Sequence, residues 1–412
     1  MAKPSPDYIK APATWSQTGK ESSPDMRILL GLTYYSPYTS GLTIYAIRQA
    51  QALARIGHQV TVLTSRFDRR LAEEELLEGV HVIRSNVWMN IGKGPLMPGM
   101  TVKAWNLVKE ADIVNLHLPQ LDAAPIVLIA RLFRKPVVVT YHCDLVLPKG
   151  FINNLANLVS NLAGHTAAGL ANAVVQNSRD YAENSRFLKR YLHKLYPIAP
   201  PVELPQVREA ECAAFREKYH IQPGQRLVGM AGRLAAEKGA DVLVQALPAV
   251  LEKHPSARVL FSGPYKSVPG EEAIAQKVLP LAEKLGDHWT FLGVLSSQEL
   301  SAFFRTCEVI VMPSLNSTES YGMVQVESMT CGTPVVASNL PGVRVPVRTT
   351  GMGRIVNPGD PEDLAKAIID VLDRPESYRG DASELANVST PEYVAKEYEK
   401  LFSNYTSGSQ ER

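Results

Sequence analysis

No apolar run in the 412-residue sequence approaches the length that crosses a bilayer, so no transmembrane helix is expected. The opening residues lack the apolar stretch of a signal peptide. Four cysteines (Cys143, Cys212, Cys307, Cys331) stand apart without CxxC spacing. That pattern argues against a disulfide framework or a zinc site and fits a reducing cytoplasm. The formal net charge of only +2 is too balanced for nucleic-acid binding through bulk charge, and no nucleic-acid partner is expected. With 45% hydrophobic and 20% charged residues, the chain is neither disordered nor fibrous over its bulk.

What is present is an alternation of strands and helices. The length predicts two domains of roughly 200 residues each. Residues 1–25, rich in Pro, Ser and Thr, read as a disordered leader. The apolar run Met26-Arg27-Ile28-Leu29-Leu30 opens the fold as a buried strand, and an amphipathic helix over 42–56 follows, stopped by Gly57. Further strands are expected at 59–63, 113–116, 136–141 and 173–175, with helices between. The Pro-rich segment 197–205 reads as a linker. A second set has strands at 226–231, 258–261, 289–292, 309–312, 334–337 and 353–356. Helices near 240–253, 272–285, 297–305, 322–331 and 361–372 alternate with them. Near-continuous β-branched runs separated by helices predict two doubly wound, Rossmann-like α/β domains, one over 26–200 and one over 206–385. Ligands of such folds sit at the carboxyl ends of the strands, here in an expected cleft.

One segment is richest in chemistry: Pro313 to Gly332, PSLNSTESYGMVQVESMTCG. It sets Glu319 in a loop after a strand, then Gly322, then Glu327 in the following helix. A helix start offers free N–H groups and a positive dipole end to an anion, and Gly322 lets a ligand approach the backbone. Eight helical residues span about 12 Å, longer than the roughly 5–9.5 Å between glycosidase carboxylates. Two carboxylates gripping different parts of one long ligand are therefore favoured over a hydrolytic pair. The loop Gly232-Arg233-Leu234-Ala235-Ala236-Glu237-Lys238-Gly239 supplies two cations for a diphosphate. Alone, Arg233 and Lys238 read rather as two solvated loop cations; beside the Glu319 segment the diphosphate reading is favoured.

His142 follows a strand of the first domain in Thr140-Tyr141-His142-Cys143-Asp144, and His117 has a similar address. Asp144 reads as a cap on the next helix. Ser40-Gly41 opens the first helix, where a backbone N–H of Gly41 reaches a phosphate or Ser40 simply caps. A basic stretch, Arg186, Lys189, Arg190, His193 and Lys194, interleaves with apolar residues. It reads as a solvated helix face or as a patch for anionic lipid, which would add peripheral contact with the cytoplasmic face of a membrane.

Taken together, these residues resemble the retaining nucleotide-sugar glycosyltransferases of family 4, which have the GT-B fold. The resemblance runs from Met26 to about Leu372. Its most specific parts are Glu319-x(7)-Glu327 with Cys331-Gly332-Thr333-Pro334, and the GR-x(4)-KG pattern from Gly232 to Gly239. By that resemblance Glu319 holds the transferred sugar, Glu327 the ribose, and Arg233 and Lys238 the diphosphate. Backbone groups of Ser320, Tyr321, Gly322, Met323 and Val324 contact sugar and phosphate, Val294 lies beside the nucleobase, and His142 sits near the anomeric carbon. A C-terminal helix over about 386–405 crosses back to the first domain. The sequence departs from the family in having Ser40-Gly41 for a common Gly-Gly pair. It also has Arg344 in the Pro341-Gly342-Val343 stretch, where acidic residues are common.

The implied activity is retaining hexosyl transfer to a glycan or lipid-linked hydroxyl. No cofactor is expected beyond the nucleotide-diphosphate sugar, UDP- or GDP-linked, as co-substrate. No D-x-D pair follows a strand, so a metal is not expected. Alternatives are a sugar-nucleotide epimerase, a phosphorylase, or a nucleotide-sugar binding or regulatory protein.

Overall fold

The computed structural model describes residues 25–91, 94–145, 151–268 and 270–406. Most of the leader expected at 1–25, and part of the loop around Asn90, lie outside them. The chain divides into two compact units, residues 1–201 with 389–412, and residues 202–388.

The first unit is built on β1 (Arg27–Gly31), β2 (Gln59–Arg66), β3 (Glu74–Leu77), β4 (Val80–Asn86), β7 (Ile113–Leu118), β8 (Val137–Tyr141), β9 (Ala173–Gln176) and β10 (Leu195–Pro197), with a small hairpin of β5 (Met89–Ile91) and β6 (Gly94–Leu96). Among the described residues the main sheet has the order β10-β9-β8-β7-β1-β2-β4-β3. Its neighbours are parallel except β3 and β4. Strand β7 is buried at every position, as a central parallel strand covered on both faces must be. Helix α1 (Gly41–Arg55) connects β1 to β2. The helices α2 (Pro98–Glu110), α3 (Ala123–Leu132) and α4 (Phe151–Leu170) carry the chain the other way across the sheet, so right-handed crossovers put them on the opposite face. There α3 packs between α2 and α4. A short α5 (Arg179–Asn184) precedes β10.

The second unit contains β11 (Arg226–Ala231), β12 (Ala257–Ser262), β13 (Trp289–Gly293), β14 (Val309–Met312), β15 (Val335–Ser338) and β16 (Gly353–Val356). All pair in parallel in the order β13-β12-β11-β14-β15-β16. One face carries α7 (Ala240–Lys253), α8 (Glu272–Lys284) and α12 (Pro361–Asp373). The other carries α6 (Glu209–Lys218), α9 (Ser297–Thr306), α10 (Met323–Thr330), α11 (Val345–Thr350) and α13 (Ser383–Val388). From β11 the chain winds outward through β12 and β13, then returns to β14 and winds the other way. The carboxyl ends of β11 and β14 therefore flank the topological switch point, where doubly wound sheets bind ligands.

The last helix, α14 (Pro391–Thr406), belongs to the first unit and lies along α1. Val394, Ala395, Tyr398, Leu401 and Phe402 are fully buried. The Tyr398 hydroxyl shares hydrogen bonds of 2.9 Å with the Tyr45 hydroxyl and with Thr140 Oγ1. Thr140 Oγ1 also accepts from Asn115 Nδ2, whose Oδ1 accepts from Gln49 Nε2. A buried polar chain thus joins α14, α1, β7 and β8; it pairs the Tyr398, Tyr45, Thr140 and Asn115 groups and leaves Gln49 Oε1 without a partner among the described residues.

Two sequence expectations need correction. The basic stretch 186–194 is not a helix face but two 3-10 turns, Leu188–Arg190 and Leu192–Lys194. Phe187, Leu188, Tyr191 and Leu195 are core residues: their spacing is that of a helical stripe, but two short turns and the start of β10 bury them instead. Lys194 Nζ donates to the carbonyls of Gly169 and Ala171, completing the carboxyl end of α4. Asp144 does not cap the next helix, which starts at Phe151. Its Oδ1 accepts from the Tyr141 and Ser185 hydroxyls, and its N–H donates to the Tyr181 hydroxyl, tying β8 to α5.

If α14 holds the first unit together, Phe402→Ala should cost about 3–5 kcal/mol. Tyr398→Phe, which removes two buried hydrogen bonds, should cost about 1–3 kcal/mol. Urea unfolding followed by circular dichroism reads both, and an unchanged midpoint for Phe402→Ala would show that α14 is only peripheral.

Candidate active site

In the second unit the two motifs read from the sequence leave adjacent strands and pack on each other. The loop after β11 runs from Gly232 to Gly239, and the loop after β14 from Pro313 to Gly322. The Leu315 N–H donates to the Glu237 carbonyl at 2.9 Å. Gly239 has φ +71°, and a Cβ there would lie 2.1 Å from the Pro313 carbonyl oxygen. Only glycine permits that backbone contact. The side chains follow the backbone: Lys238 Nζ pairs with Glu319 Oε2 at 2.6 Å, and Arg233 Nη2 with Glu237 Oε1 at 2.5 Å.

Supports from elsewhere fix this arrangement. The 3-10 turn Ala236–Lys238 is held by Glu271, whose carboxylate accepts the Ala236 N–H at 3.0 Å. Glu271 is buried, and no local motif in the sequence marked it. The loop after β12 packs as tightly, since a Cβ at Gly263 would meet the Gly232 carbonyl oxygen at 2.1 Å.

Gly322, at φ +85°, is the N-cap of α10, and no side chain caps it. A Cβ there would lie 2.5 Å from Met312 Cε. Gln325 Nε2 donates to the carbonyls of Tyr321 and Val343, locking the first turn. The Tyr321 ring belongs to the core cluster, and burial raises its hydroxyl pKa. The Tyr321 side chain is thus committed to the core, while Met323 and Val324 are half-buried and Ser320 is buried. Glu327 is buried within α10. Val294 lies just past β13, after Gly293 at φ +74°, and is 74% exposed. Glu319, Arg233 and Lys238 thus converge in one loop pair, with Glu327 on the helix that one of these loops enters.

In the first unit, His142 lies just past β8 and His117 within β7. Their rings stack at 5.1 Å, with His117 Nδ1 and His142 Nε2 2.9 Å apart. Tyr45 meets His142 edge-on at 4.9 Å. Burial lowers both imidazole pKa values, that of His142 to about 3, and the charge of His142 adds to the effect on His117. Two neutral rings share one proton in their mutual hydrogen bond. His117 Nε2 is buried with no partner among the described residues. An unpaired N–H there would cost more than an unpaired lone pair. The favoured tautomer therefore puts the His117 proton on Nδ1, donating to His142 Nε2, and leaves His142 with an N–H at Nδ1.

At the other candidate position, Ser40 Oγ accepts the Thr43 N–H and so caps α1, with Gly41 exposed in its first turn. Among the described residues no group of three His, Cys, Asp or Glu side chains could hold a metal ion.

Comparison with known proteins gives this geometry a setting. Residues 213–384 match the family described as Glycosyl transferases group 1, and residues 39–204 match Glycosyltransferase Family 4. A D-inositol 3-phosphate glycosyltransferase of Acidothermus cellulolyticus is 30% identical over 386 residues, covering 82% of this chain and 80% of that protein. One of the same name from Segniliparus rotundus is 30% identical over 188 residues, 45% of this chain and 41% of that protein. The chain thus spans less than half the length of that relative. Among solved structures, Anabaena HepE in complex with UDP and glucose superposes with a TM-score of 0.72 at 19% identity, covering 92% of this chain and 99% of that one.

The histidine pair generates a prediction with a definite sign. Both folded-state pKa values lie below the ordinary 6.5, so the unfolded chain binds more protons in that interval. The stability they contribute is complete above about pH 6.5 and is lost on acidification, by up to about 1.4 kcal/mol per pH unit for each ring. Unfolding midpoints at about pH 7 and about pH 5 should differ accordingly, and His142→Asn should flatten the slope. Imidazole NMR showing either ring titrating near 6.5 would refute the neutral pair.

Proposed function

This chain belongs to glycosyltransferase family 4 and has the GT-B fold, and on that premise we propose that it moves a hexose from a nucleotide-diphosphate sugar to an acceptor hydroxyl, with retention and without a metal ion. The observation that carries the proposal is the Lys238–Glu319 pair, which joins two motif loops at the β11/β14 switch point. A diphosphate there meets Lys238, Arg233 and the N–H groups that open α10, all complementary to charge that develops as the leaving group departs. Once the phosphate takes Lys238, Glu319 is available to accept from sugar hydroxyls. Glu327 is assigned to the ribose, Val294 to the base, and the backbone from Ser320 to Val324 to sugar and phosphate.

In this proposal Gly41 contributes its backbone to the donor phosphate, and His142 acts on the transferred sugar. With Nδ1 protonated, His142 is a hydrogen-bond donor to a hydroxyl and not a base. The proton of the acceptor then goes to the departing phosphate, so the bond to the anomeric carbon breaks and forms on one face of the sugar. The acceptor is proposed to be a glycan or lipid-linked glycan. The shared name of the relatives makes inositol 3-phosphate the first soluble acceptor to test.

Thermal unfolding with UDP, GDP and ADP in EDTA tests the donor half. One nucleotide at 100 times its Kd should add about 2.7 kcal/mol to the wild type, and nothing to Arg233→Ala/Lys238→Ala. No response to any nucleotide, on folded protein, would sink the donor assignment. With donor and acceptor found, Lys238→Ala should lower kcat by about 10²–10³. NMR of the product should show the anomeric configuration of the donor, and inversion would overturn the retaining reading.

A further inference from the structure

Three helices of the first unit present apolar side chains to solvent on one face of the sheet. On α3, Leu128 and Leu132 are 54% and 64% exposed. On the adjoining α4, Leu158 and Leu162 are 66% and 67% exposed. Both pairs are four residues apart, so each forms an outward stripe on its helix. Trp105 and Val102 extend the apolar surface on α2. A helix facing water ordinarily turns charged residues outward. Here the twenty residues of α4 contain no Asp, Glu, Lys or Arg, and α3 contains only Arg131.

Cations border this surface. His165 of α4 meets the Tyr191 hydroxyl at 2.9 Å and stacks on Phe187, which seats the turns of 186–194 against α4. Burial, and then the charge of Arg131, pulls the Lys194 ammonium below its ordinary pKa. Burial and then Arg190 do the same to the His165 imidazole. Arg131, Arg190 and Lys194 therefore gather around α4, beside exposed Lys189. Neither α3 nor α4 contributes an acidic residue to balance them.

We propose that the α3–α4 face docks on an anionic lipid surface, with the leucine stripes entering the interface and Arg131, Lys189 and Arg190 meeting headgroup phosphates. Apolar stripes flanked by unbalanced cations are what a helix lying in the plane of such a surface needs. A second copy is a poorer occupant, because an isologous contact would bring the same cations together. No described helix is long and apolar enough to cross the membrane, which fits attachment from one side. The inference does not depend on the proposed transfer reaction.

Co-sedimentation of the full chain with vesicles tests it, comparing phosphatidylcholine alone with phosphatidylcholine containing about one-third phosphatidylglycerol. The wild type should pellet with the anionic vesicles, weakly with neutral ones, and less as salt rises. Leu158→Asp/Leu162→Asp should lower binding at least about ten-fold. Leu158→Lys/Leu162→Lys, which adds positive charge, should also lower it if the stripe inserts. Arg131→Glu/Arg190→Glu should abolish the preference for anionic vesicles. These side chains are exposed, so circular dichroism should be unchanged, and nucleotide stabilisation should persist because the motif loops lie in the other unit. Absence of pelleting, or undiminished pelleting of the aspartate variant, would overturn the proposal. So would a wild-type dimer in sedimentation velocity that the aspartate variant dissolves, since a second copy would then occupy the face.

Discussion

The contact between Gly239 and the Pro313 carbonyl leaves no room for a side chain, and the candidate donor site rests on that approach. Strands β11 and β14 are neighbours, yet their loops would diverge at the switch point if sterics alone decided. The glycine conformation, the Leu315–Glu237 backbone bond and the Glu271 carboxylate under Ala236 pull them together instead. Once joined, the loops place Lys238 and Glu319 within contact although 81 residues separate them. The spacing of the two motifs is therefore a backbone constraint first and an electrostatic one second.

That order matters for how strongly the ion pair holds. At 2.6 Å the gross attraction is about 6 kcal/mol with an effective dielectric of about 20. Lys238 is 28% exposed, however, and desolvation and screening reduce the net value of such a pair to about 0–1 kcal/mol. A pair worth so little neither builds the loops nor resists exchange. It keeps Lys238 extended toward the switch point at small cost, and a ligand carrying two phosphates competes for it easily. The Arg233–Glu237 pair follows the same logic within one loop.

The sequence displayed what depends on local pattern. Buried parallel strands are β-branched runs, so Val309–Met312 and Val335–Ser338 stood out, and the motif loops after β11 and β14 carried glycines and charges at legible spacing. What stayed hidden depends on residues distant in sequence. Glu271 supports the loop after β11 from another strand's connection, and Tyr398 satisfies Tyr45 from 353 residues away. The pairing of His117 with His142 stayed hidden because a lone histidine near a strand end has no local mark of its partner. The edge strand Glu74–Leu77 reads as polar and was missed. It pairs with β4 through a two-residue turn, Glu78-Gly79, both at positive φ, the geometry of tight hairpins. The basic stretch misled for the opposite reason, since alternating charge and apolarity looks helical where irregular turns bury the same residues.

The neutral histidine pair constrains the chemistry that the proposed transfer can use. A general base must hold a free lone pair at the reacting proton near working pH. His142 spends the lone pair of Nε2 on His117, and its remaining nitrogen carries hydrogen. Protonating the pair to make it an acid is also disfavoured, because burial opposes charge on either ring. Acid and base roles are thus both closed to it, while donation to a sugar hydroxyl remains open. In the proposed transfer, charge stabilisation is therefore assigned to Arg233, Lys238 and the start of α10. The proton of the acceptor must leave on a group that becomes more basic as the bond to the sugar breaks, and the departing phosphate oxygen is the group in the reaction that does so.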